Sequence, residues 1–445
     1  KELVTATVPY ELDIPPLQLG DTVLVEGELK PISSLHNFFV FSYSDYAKRK
    51  DLFYYIRVSS LQIKKENQNP FLWLKNWVLK QIDKREYSAY YSAFLFGDTS
   101  GIEERVVNSY REIGISHLFA VSGMNFSLLA RGLTFLFEKF RGTSKGGEIF
   151  LFFFLWLFSF LVGFTPSVSR AFFFLFFLYF KRRFASQEHS LWALFQTFSF
   201  LLLWKPSYLF EIGFQYSFLV SAVLLFFSSF LASKKGFLST LWVSIFAFFA
   251  SAPITIYHFH QISLLSILFN LFFVPLVSFI FFPFTIFLLL VPFFSSLYGA
   301  MIHLLEATAL WFSTFSFGKW VMPHPNPWWC FFGVFFFFFF LFFFRRHAFL
   351  SCFLFLFVLW FYSYTPSLFP ITSFTMLDVG QGDSFLFTTS GKTMLIDTGG
   401  GFSSNLTDYV FLPFFKAQGI TKIDTLLLTH GDYDHMGEAI RLVNE

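Results

Sequence analysis

The sequence predicts a polytopic α-helical membrane protein of about ten transmembrane helices, with a small β-barrel domain in front and a strand-rich α/β domain behind. Composition is the first reason. Of 445 residues, 55% are hydrophobic, 77 are phenylalanine and only 14% are charged, against about 25% charged in soluble proteins. Mean hydropathy is +0.57. Lipid must cover such a surface, which excludes an ordinary soluble globule and a disordered chain. Patterning is the second reason: apolar runs fill residues 114–364, whereas both ends alternate at strand period. The net charge of +3 is too small to argue by itself for a nucleic-acid partner.

Residues 1–64 carry three strand-like pieces, at 22–30 (TVLVEGELK), 37–43 (NFFVFSY) and 52–63 (LFYYIRVSSLQI). Gly20-Asp21 and Gly27 punctuate them, and the spacing predicts a small β domain, with an OB-like five-stranded barrel as one form. Lys48, Arg49, Lys50, Arg57, Lys64 and Lys65 mix with Phe38, Phe39, Tyr54 and Tyr55. Cations beside aromatic rings suit single-stranded nucleic acid, and equally a β core with a solvated rim. Residues 65–113 read as amphipathic helices broken at Gly97-Asp98, able to lie on a membrane surface or to pack on the β domain.

Residues 114–364 hold apolar runs near 115–136, 148–165, 168–180, 189–204, 214–232, 237–257, 262–280, 281–297, 299–316, 330–344 and 348–363. A crossing helix needs about 20 residues, so 168–180, 189–204 and 330–344 must be tilted, extended or partly buried. The phenylalanine block at 335–340 reads as lipid-facing filler, and Cys330 and Cys352 as small buried hydrophobes. Basic clusters at Lys139/Arg141/Lys145, Lys181/Arg182/Arg183, Lys234/Lys235 and Arg345/Arg346 mark cytoplasmic turns, while the loops near 205–213 and 258–261 contain only Lys205. Segments 262–280 and 281–297 read as a further crossing pair. To keep Arg345/Arg346 inside, 299–316, with His303 and Glu306, is read as interfacial or re-entrant. Both soluble ends then face away from the cytoplasm.

Polar groups interrupt these runs. His117 and Asn125 lie eight residues apart around the small pair Ser122-Gly123, and Gln215, Ser217, Asn270 and Pro275 follow. Arg170 stands near one end of an apolar run, and His258 and His260 fall in an outer loop. Polar groups at membrane depth face the bundle or a water path, with interhelical hydrogen bonds as the alternative and snorkelling as the alternative for the arginine.

Residues 371–445 return to soluble composition, with strands at 373–378, 384–389 and 393–397, a helix near 405–418 and a strand at 422–429. Directly after that strand comes His430-Gly-Asp432-Tyr-Asp434-His435-Met-Gly437. Imidazole nitrogens and carboxylate oxygens on a loop leaving a strand end can serve two divalent ions, which together clamp a phosphodiester. The chain opens on Lys1 and runs out at Glu445 within this domain. It is read as a piece of a longer protein, with an incomplete metal site and no hydrolysis of its own.

The motif resembles the loop His-x-His-x-Asp-His of the metallo-β-lactamase superfamily, with Asp432 in place of the second histidine. The resemblance implies a truncated αββα domain holding two divalent ions on His430, Asp432, Asp434 and His435, with Asp434 also taking a proton from the attacking water. The oxygen of Asp432 shifts the preference from Zn²⁺ toward Mn²⁺. "DVGQGDS" (378–384) and "LIDTGG" (395–400) stand where that fold has its first strand turns, and Asp378, Asp383 and Asp397 would brace the loop. "HLFAVSGMNFSLLA" (117–130), "KPSYLFEIGFQYSFLVS" (205–221) and "APITIYHFHQISLLSILFNLFFVPLVS" (252–278), in that order between these soluble ends, resemble the ComEC family of bacterial DNA-internalisation proteins. That resemblance implies a multi-pass protein of the bacterial cytoplasmic membrane, working with other competence proteins and with its soluble domains outside. One DNA strand would pass through a channel, on whose path His117, Asn125, Arg170, Gln215 and Asn270 are candidates, and the other would be degraded by the metal domain. Two other classes stay open: a transporter of another solute with a regulatory metal-binding domain, and a membrane-anchored metallohydrolase acting on a non-nucleic substrate. Oligomerisation is open as well.

Overall fold

The computed structural model describes residues 3–9, 14–141, 145–184, 190–315, 317–344, 347–400 and 405–444. At the amino-terminal end, β1 (Leu3–Thr7), β2 (Thr22–Pro31) and β3 (Leu52–Lys65) form a sheet in the order β1-β3-β2. β1 runs parallel and β2 antiparallel to the long central β3. Among the described residues this sheet has three strands rather than the five of an OB-like barrel. The expected strand at 37–43 is absent: residues 38–40 turn and bend, and Tyr43–Arg49 is helical. Ser42 Oγ accepts from the Asp45 amide at 3.3 Å, a helix cap that competes locally with strand pairing. Phe38 and Phe39 therefore leave the sheet, and Phe39, at φ 63°, stacks on His324 with ring centroids 4.3 Å apart.

The amphipathic stretch forms the helices Pro70–Asp83, Ser88–Phe96 and Glu104–Glu112. Pro70–Asp83 touches the β domain through Asn76, whose side chain bonds Leu19 N and O at 3.1 Å, and its Phe71 packs edge-on against Trp156 and Phe160. Tyr90, Tyr91, Phe94, Val106 and Tyr110 are buried in one core with Phe281, Phe282, Tyr298 and Ile302 from the apolar helices. The aromatic side chains of Ser88–Phe96 and Glu104–Glu112 dock into the bundle, while Trp73 and Trp77 of Pro70–Asp83 stay exposed.

Among the described residues, five helical stretches are long and apolar enough to cross a membrane: Ser116–Lys139, Gly236–Phe259, Ser266–Leu290, Pro292–Ser313 and Pro327–Phe344. Shorter apolar helices occupy Gly147–Val162, Pro166–Phe180, Ser190–Trp204, Ile212–Phe226 and Leu350–Ser363. Many outer side chains are bare, with Leu203 85%, Leu290 81% and Phe342 80% exposed, as expected of lipid-facing surfaces. Two sequence expectations change here. The pair 262–280 and 281–297 is one continuous stretch, Ser266–Leu290, with a π-helical turn at Val277–Phe281 between Pro275 and Pro283. Each proline removes an amide donor, so the hydrogen-bond ladder slips instead of ending. Of the stretch read as interfacial, 299–316, residues 299–313 lie in a helix with the length and composition of a crossing one, and Ser316 lies outside the described residues. Cys330 and Cys352 are free thiols, and Cys330 is exposed rather than buried.

Strands β4 (Gln261–Ser263) and β5 (Lys319–Val321) pair antiparallel outside the helices. They gather the end of Gly236–Phe259, the start of Ser266–Leu290, the end of Pro292–Ser313 and the start of Pro327–Phe344 at one face of the bundle. Lys234 and Lys235 precede the opposite end of the 24-residue helix Gly236–Phe259. Arg345 and Arg346 lie outside the described residues.

The carboxy-terminal domain follows on that same face. β6 (Ser373–Met376), β7 (Phe385–Thr389), β8 (Lys392–Ile396) and β9 (Thr425–Leu427) form one sheet in sequential order, with β9 parallel to β8. The helix Leu412–Gln418 and the π turn before it cover one side, burying Val410, Phe411, Phe414 and Phe415 against Leu386 and Leu395. Leu35 and Val40 of the amino-terminal domain pack on this core. His324 N donates to Ala417 O at 2.7 Å, tying the domain to the bundle.

Candidate functional site

The metal-type motif begins two residues after β9 ends and turns into the short helix Tyr433–Met436. Asp397, just after β8, organises this loop. It lies at φ 55°, its own N donates to Leu427 O at 2.8 Å, and its carboxylate accepts from Thr429 N at 2.8 Å and Thr429 Oγ1 at 2.7 Å. His435 Nδ1 lies 3.0 Å from Asp397 Oδ2, which leaves Nε2 for another partner. Burial pushes the Asp397 carboxyl up, but the Thr429 and His435 bonds outweigh it and hold it below the ordinary range. The same hydrogen bond raises the His435 imidazole. A carboxylate that fixes the ring and tautomer of a histidine is the usual support of a metal-binding imidazole.

His435 Nε2 stands 4.0 Å from Asp434 Oδ2, and the His430 and His435 rings lie with centroids 3.9 Å apart and planes tilted by 46°. His430 Nδ1 meets Thr429 Oγ1 at 2.9 Å, and its Nε2 lies 3.5 Å from Asp432 Oδ2. The Asp432 side chain is 78% exposed. Gly382, at φ 85°, lies against the loop from below: a Cβ there would meet Asp434 O at 1.7 Å, so no other residue fits without moving the motif. The donor set, two imidazoles and two carboxylates in one loop, fits part of a divalent centre. Among the described residues, no three histidine, cysteine, aspartate or glutamate side chains gather as a metal-binding group.

The three upstream aspartates take different places. Asp397 touches the loop as described. Asp378 does not: its carboxylate accepts from His36 N at 2.8 Å and Gly380 N at 3.1 Å, and Asn37 bonds both its N and its O at 2.8 Å. It seals the joint between the soluble domains, because the turn after β6 faces the amino-terminal domain. The Asp383 side chain is exposed, and its backbone O accepts from Gly399 N at 3.2 Å. Sequence reasoning missed Thr429 and Glu438. Glu438, buried behind the motif, accepts from Thr407 N at 3.1 Å and Thr407 Oγ1 at 2.5 Å. Their signal was adjacency to the motif alone.

The second candidate region is a cavity of about 2330 Å³ that opens between the soluble elements and continues among the apolar helices. It follows Ile212–Phe226 from Ile212 to Leu225 and Gly236–Phe259 from Phe259 back to Thr240. At about 1.5 Å per residue this is about 20 Å along the first helix. Its wall carries hydroxyls at Ser217, Ser221, Thr240, Ser244, Ser251 and Thr255. His117, Arg170 and Asn270 line it, whereas Asn125 and Gln215 are not among the lining residues. Asn125 is 3% exposed with no hydrogen-bond partner for Oδ1. Gln215 is held at the helix start by Leu209 O at 2.9 Å and His258 Nε2 at 3.2 Å. At the mouth, charges largely pair: Lys50 with Glu211 and Arg441 with Asp408. His258, His260 and His324 also stand there. Of the β-domain cations and rings singled out in the sequence, Arg49, Lys50, Phe38 and Phe39 reach the mouth.

Comparison with known proteins places both regions. Residues 94–347 match the sequence profile described as Competence protein, and residues 377–445 match that of the metallo-beta-lactamase superfamily. The chain is 29% identical to ComE operon protein 3 of Bacillus subtilis, across 90% of this chain and 56% of that protein. It is 24% identical to Competence protein ComA of Neisseria gonorrhoeae, across 78% of this chain and 51% of that protein. A segment of 71 residues is 37% identical to Recombination protein 2 of Haemophilus influenzae, covering 16% of this chain and 9% of that protein. The chain thus spans about half the length of the relatives it matches most fully. No solved structure matches it. With more than half of its length under one profile, the chain belongs to the ComEC-type competence protein family and carries a metallo-beta-lactamase domain behind the membrane region.

Proposed function

We propose that this chain is the membrane core of a DNA-internalising machine in the bacterial cytoplasmic membrane. One strand passes through the cavity among the helices, and the metallo-beta-lactamase domain degrades the other. The cavity carries this reading: it joins the soluble face to the depth of the bundle along a hydroxyl-rich wall, and an anchor for a hydrolase would have no use for it. The similarity to competence proteins supports reading the cargo as DNA.

All ten apolar helices then cross, the five shorter ones with soluble elements and neighbouring helices completing their cover. The count of ten rests on a different division from the one expected of the apolar runs: the fused pair removes one crossing and Pro292–Ser313 restores it. An even number keeps both soluble domains on one side. The contacts of Asn37 with Asp378 and of Tyr409 with Glu104, at 3.2 Å, agree with a shared side. Basic positions such as Lys139 and Lys234 fall at the other end of the helices, which supports reading that end as cytoplasmic.

His430, Asp432, Asp434 and His435 would hold the divalent ions, Mn²⁺ or Zn²⁺. Bound metal would supply an activated water and charge neutralisation at the phosphodiester. Asp397 orients His435, and Asp434 is the proton acceptor. The amino-terminal sheet receives DNA at the mouth, and other competence proteins deliver it.

The test uses the full-length protein in cells lacking their own relative. It is expected to restore uptake of labelled DNA into the cytoplasm, and as a purified protein to cut DNA when Mn²⁺ or Zn²⁺ is present. Neither uptake nor cleavage would leave the solute-transporter reading in possession.

A further inference from the structure

Among the described aspartate, glutamate, lysine and arginine side chains that line the cavity, only Arg170 belongs to one of the apolar helices; the others stand at the mouth. Its Nε donates to Ser217 Oγ at 2.6 Å, and among the described residues no carboxylate pairs with it. The guanidinium lies over Gly123, the first residue of the helix Gly123–Arg141. A Cβ on Gly123 would stand 2.3 Å from Arg170 Nη2, so the arginine rests where only glycine leaves room. This puts a full positive charge beside the positive end of a helix dipole, an arrangement that disfavours the empty state and favours an anion between the two. A guanidinium away from competing carboxylates is well suited to a phosphate, which it can grip with two parallel N–H bonds.

We propose that Arg170, seated on Gly123 and steadied by Ser217, is the phosphate-contacting residue of the passage and makes it select a polyanionic strand. The inference rests on the cavity being the strand's path. A single cation with no acid near it binds each phosphate weakly enough to release it, and it repels small cations that would otherwise leak through the wet wall. Ser217 is a positioning residue, since it acts through the arginine.

The test compares full-length wild type, Arg170→Gln, Arg170→Lys and Gly123→Ala for uptake of ordinary DNA. It repeats this with DNA carrying a block of neutral methylphosphonate linkages in both strands. Arg170→Gln is expected to lower uptake of ordinary DNA about tenfold, the loss of one charge-assisted hydrogen bond. Arg170→Lys should fall between, because the charge stays and the fork is lost. Wild type should take up the neutral block less well than ordinary DNA, and Arg170→Gln should lose much of that discrimination. The metal domain meets the same block in every variant, so this ratio isolates the passage. If Arg170→Gln fails to reach the membrane, Gly123→Ala serves as the readout: it keeps the charge, displaces the guanidinium, and should lower both uptake and discrimination. Wild-type uptake by every variant, or an unchanged discrimination ratio, would overturn the proposal. If the wild-type protein internalises no DNA at all, the parent reading fails and this inference goes with it.

Discussion

The metal loop and the cavity differ in how chain order relates to place. The loop draws its candidate donors from six consecutive positions, 430–435, and its main support from Asp397, near the strand β8 that pairs with β9. The cavity takes its wall from helices spread between residues 116 and 324, and no segment of it announces a passage. A compact motif can be read one side chain at a time. A wall of serines and small residues acquires meaning only when the helices stand next to one another. The difference also predicts that the two activities separate: damage to the loop spares the passage, and damage to the passage spares the loop.

The largest effect should come from Asp434→Ala in the full-length protein. Cleavage in the presence of divalent metal should fall about 10³-fold or more, while membrane insertion and passage of a strand supplied without its complement persist. An assay of cleavage beside uptake of single-stranded DNA checks this; loss of both together would break the separation. Next, Ser221→Trp places a large ring in the cavity wall. Uptake should drop by an order of magnitude or more, with purified-protein cleavage unchanged.

Asp397→Ala should weaken metal binding by about 10–100-fold, the usual cost of removing the partner that orients a histidine ligand. Calorimetric titration of the full-length protein with Mn²⁺ reads it directly. Glu438→Gln sharpens the comparison inside the domain. It keeps the shape behind the motif but removes the charge that accepts both Thr407 bonds, and should destabilise the domain by about 1–3 kcal/mol, seen as earlier proteolysis on heating. The smallest effect is acid weakening at Asp424. Its carboxyl is held below the ordinary range by the Thr393 amide, with Lys422 adding to this. Its stabilising contribution is therefore complete above the unfolded pKa of an aspartate and is lost as pH falls through the depressed folded value. Asp424→Asn should remove that acid-range slope and lower neutral stability by the same small amount, so that denaturation midpoints of variant and wild type differ at neutral pH and converge in acid.

Much of this architecture could be read from residue order. Strands at 22–30 and 52–63, the helix breaks and the motif after the last strand follow from alternation, glycine placement and donor spacing. The stretch 37–43 could not, because alternating aromatics there serve a joint between domains and the Ser42 cap starts a helix. The fused stretch Ser266–Leu290 was hidden by its prolines, which mark a π turn in this helix and a chain reversal in others. Asp378 looked like a brace for the loop because of its turn sequence, and only tertiary contact with His36 and Asn37 shows its use. Arg170 and Asn270 stood out as polar residues in apolar runs, but their sharing of one cavity with His117 depended on helix order that periodicity does not encode.

Crosslinking of DNA arrested in transit tests the central claim most directly. A photoreactive side chain at position 221, inside the cavity, should capture one strand of an entering duplex, while the same group at the bare outer position 203 captures none. Uptake that proceeds with no capture at position 221, or with equal capture at both positions, would contradict the account.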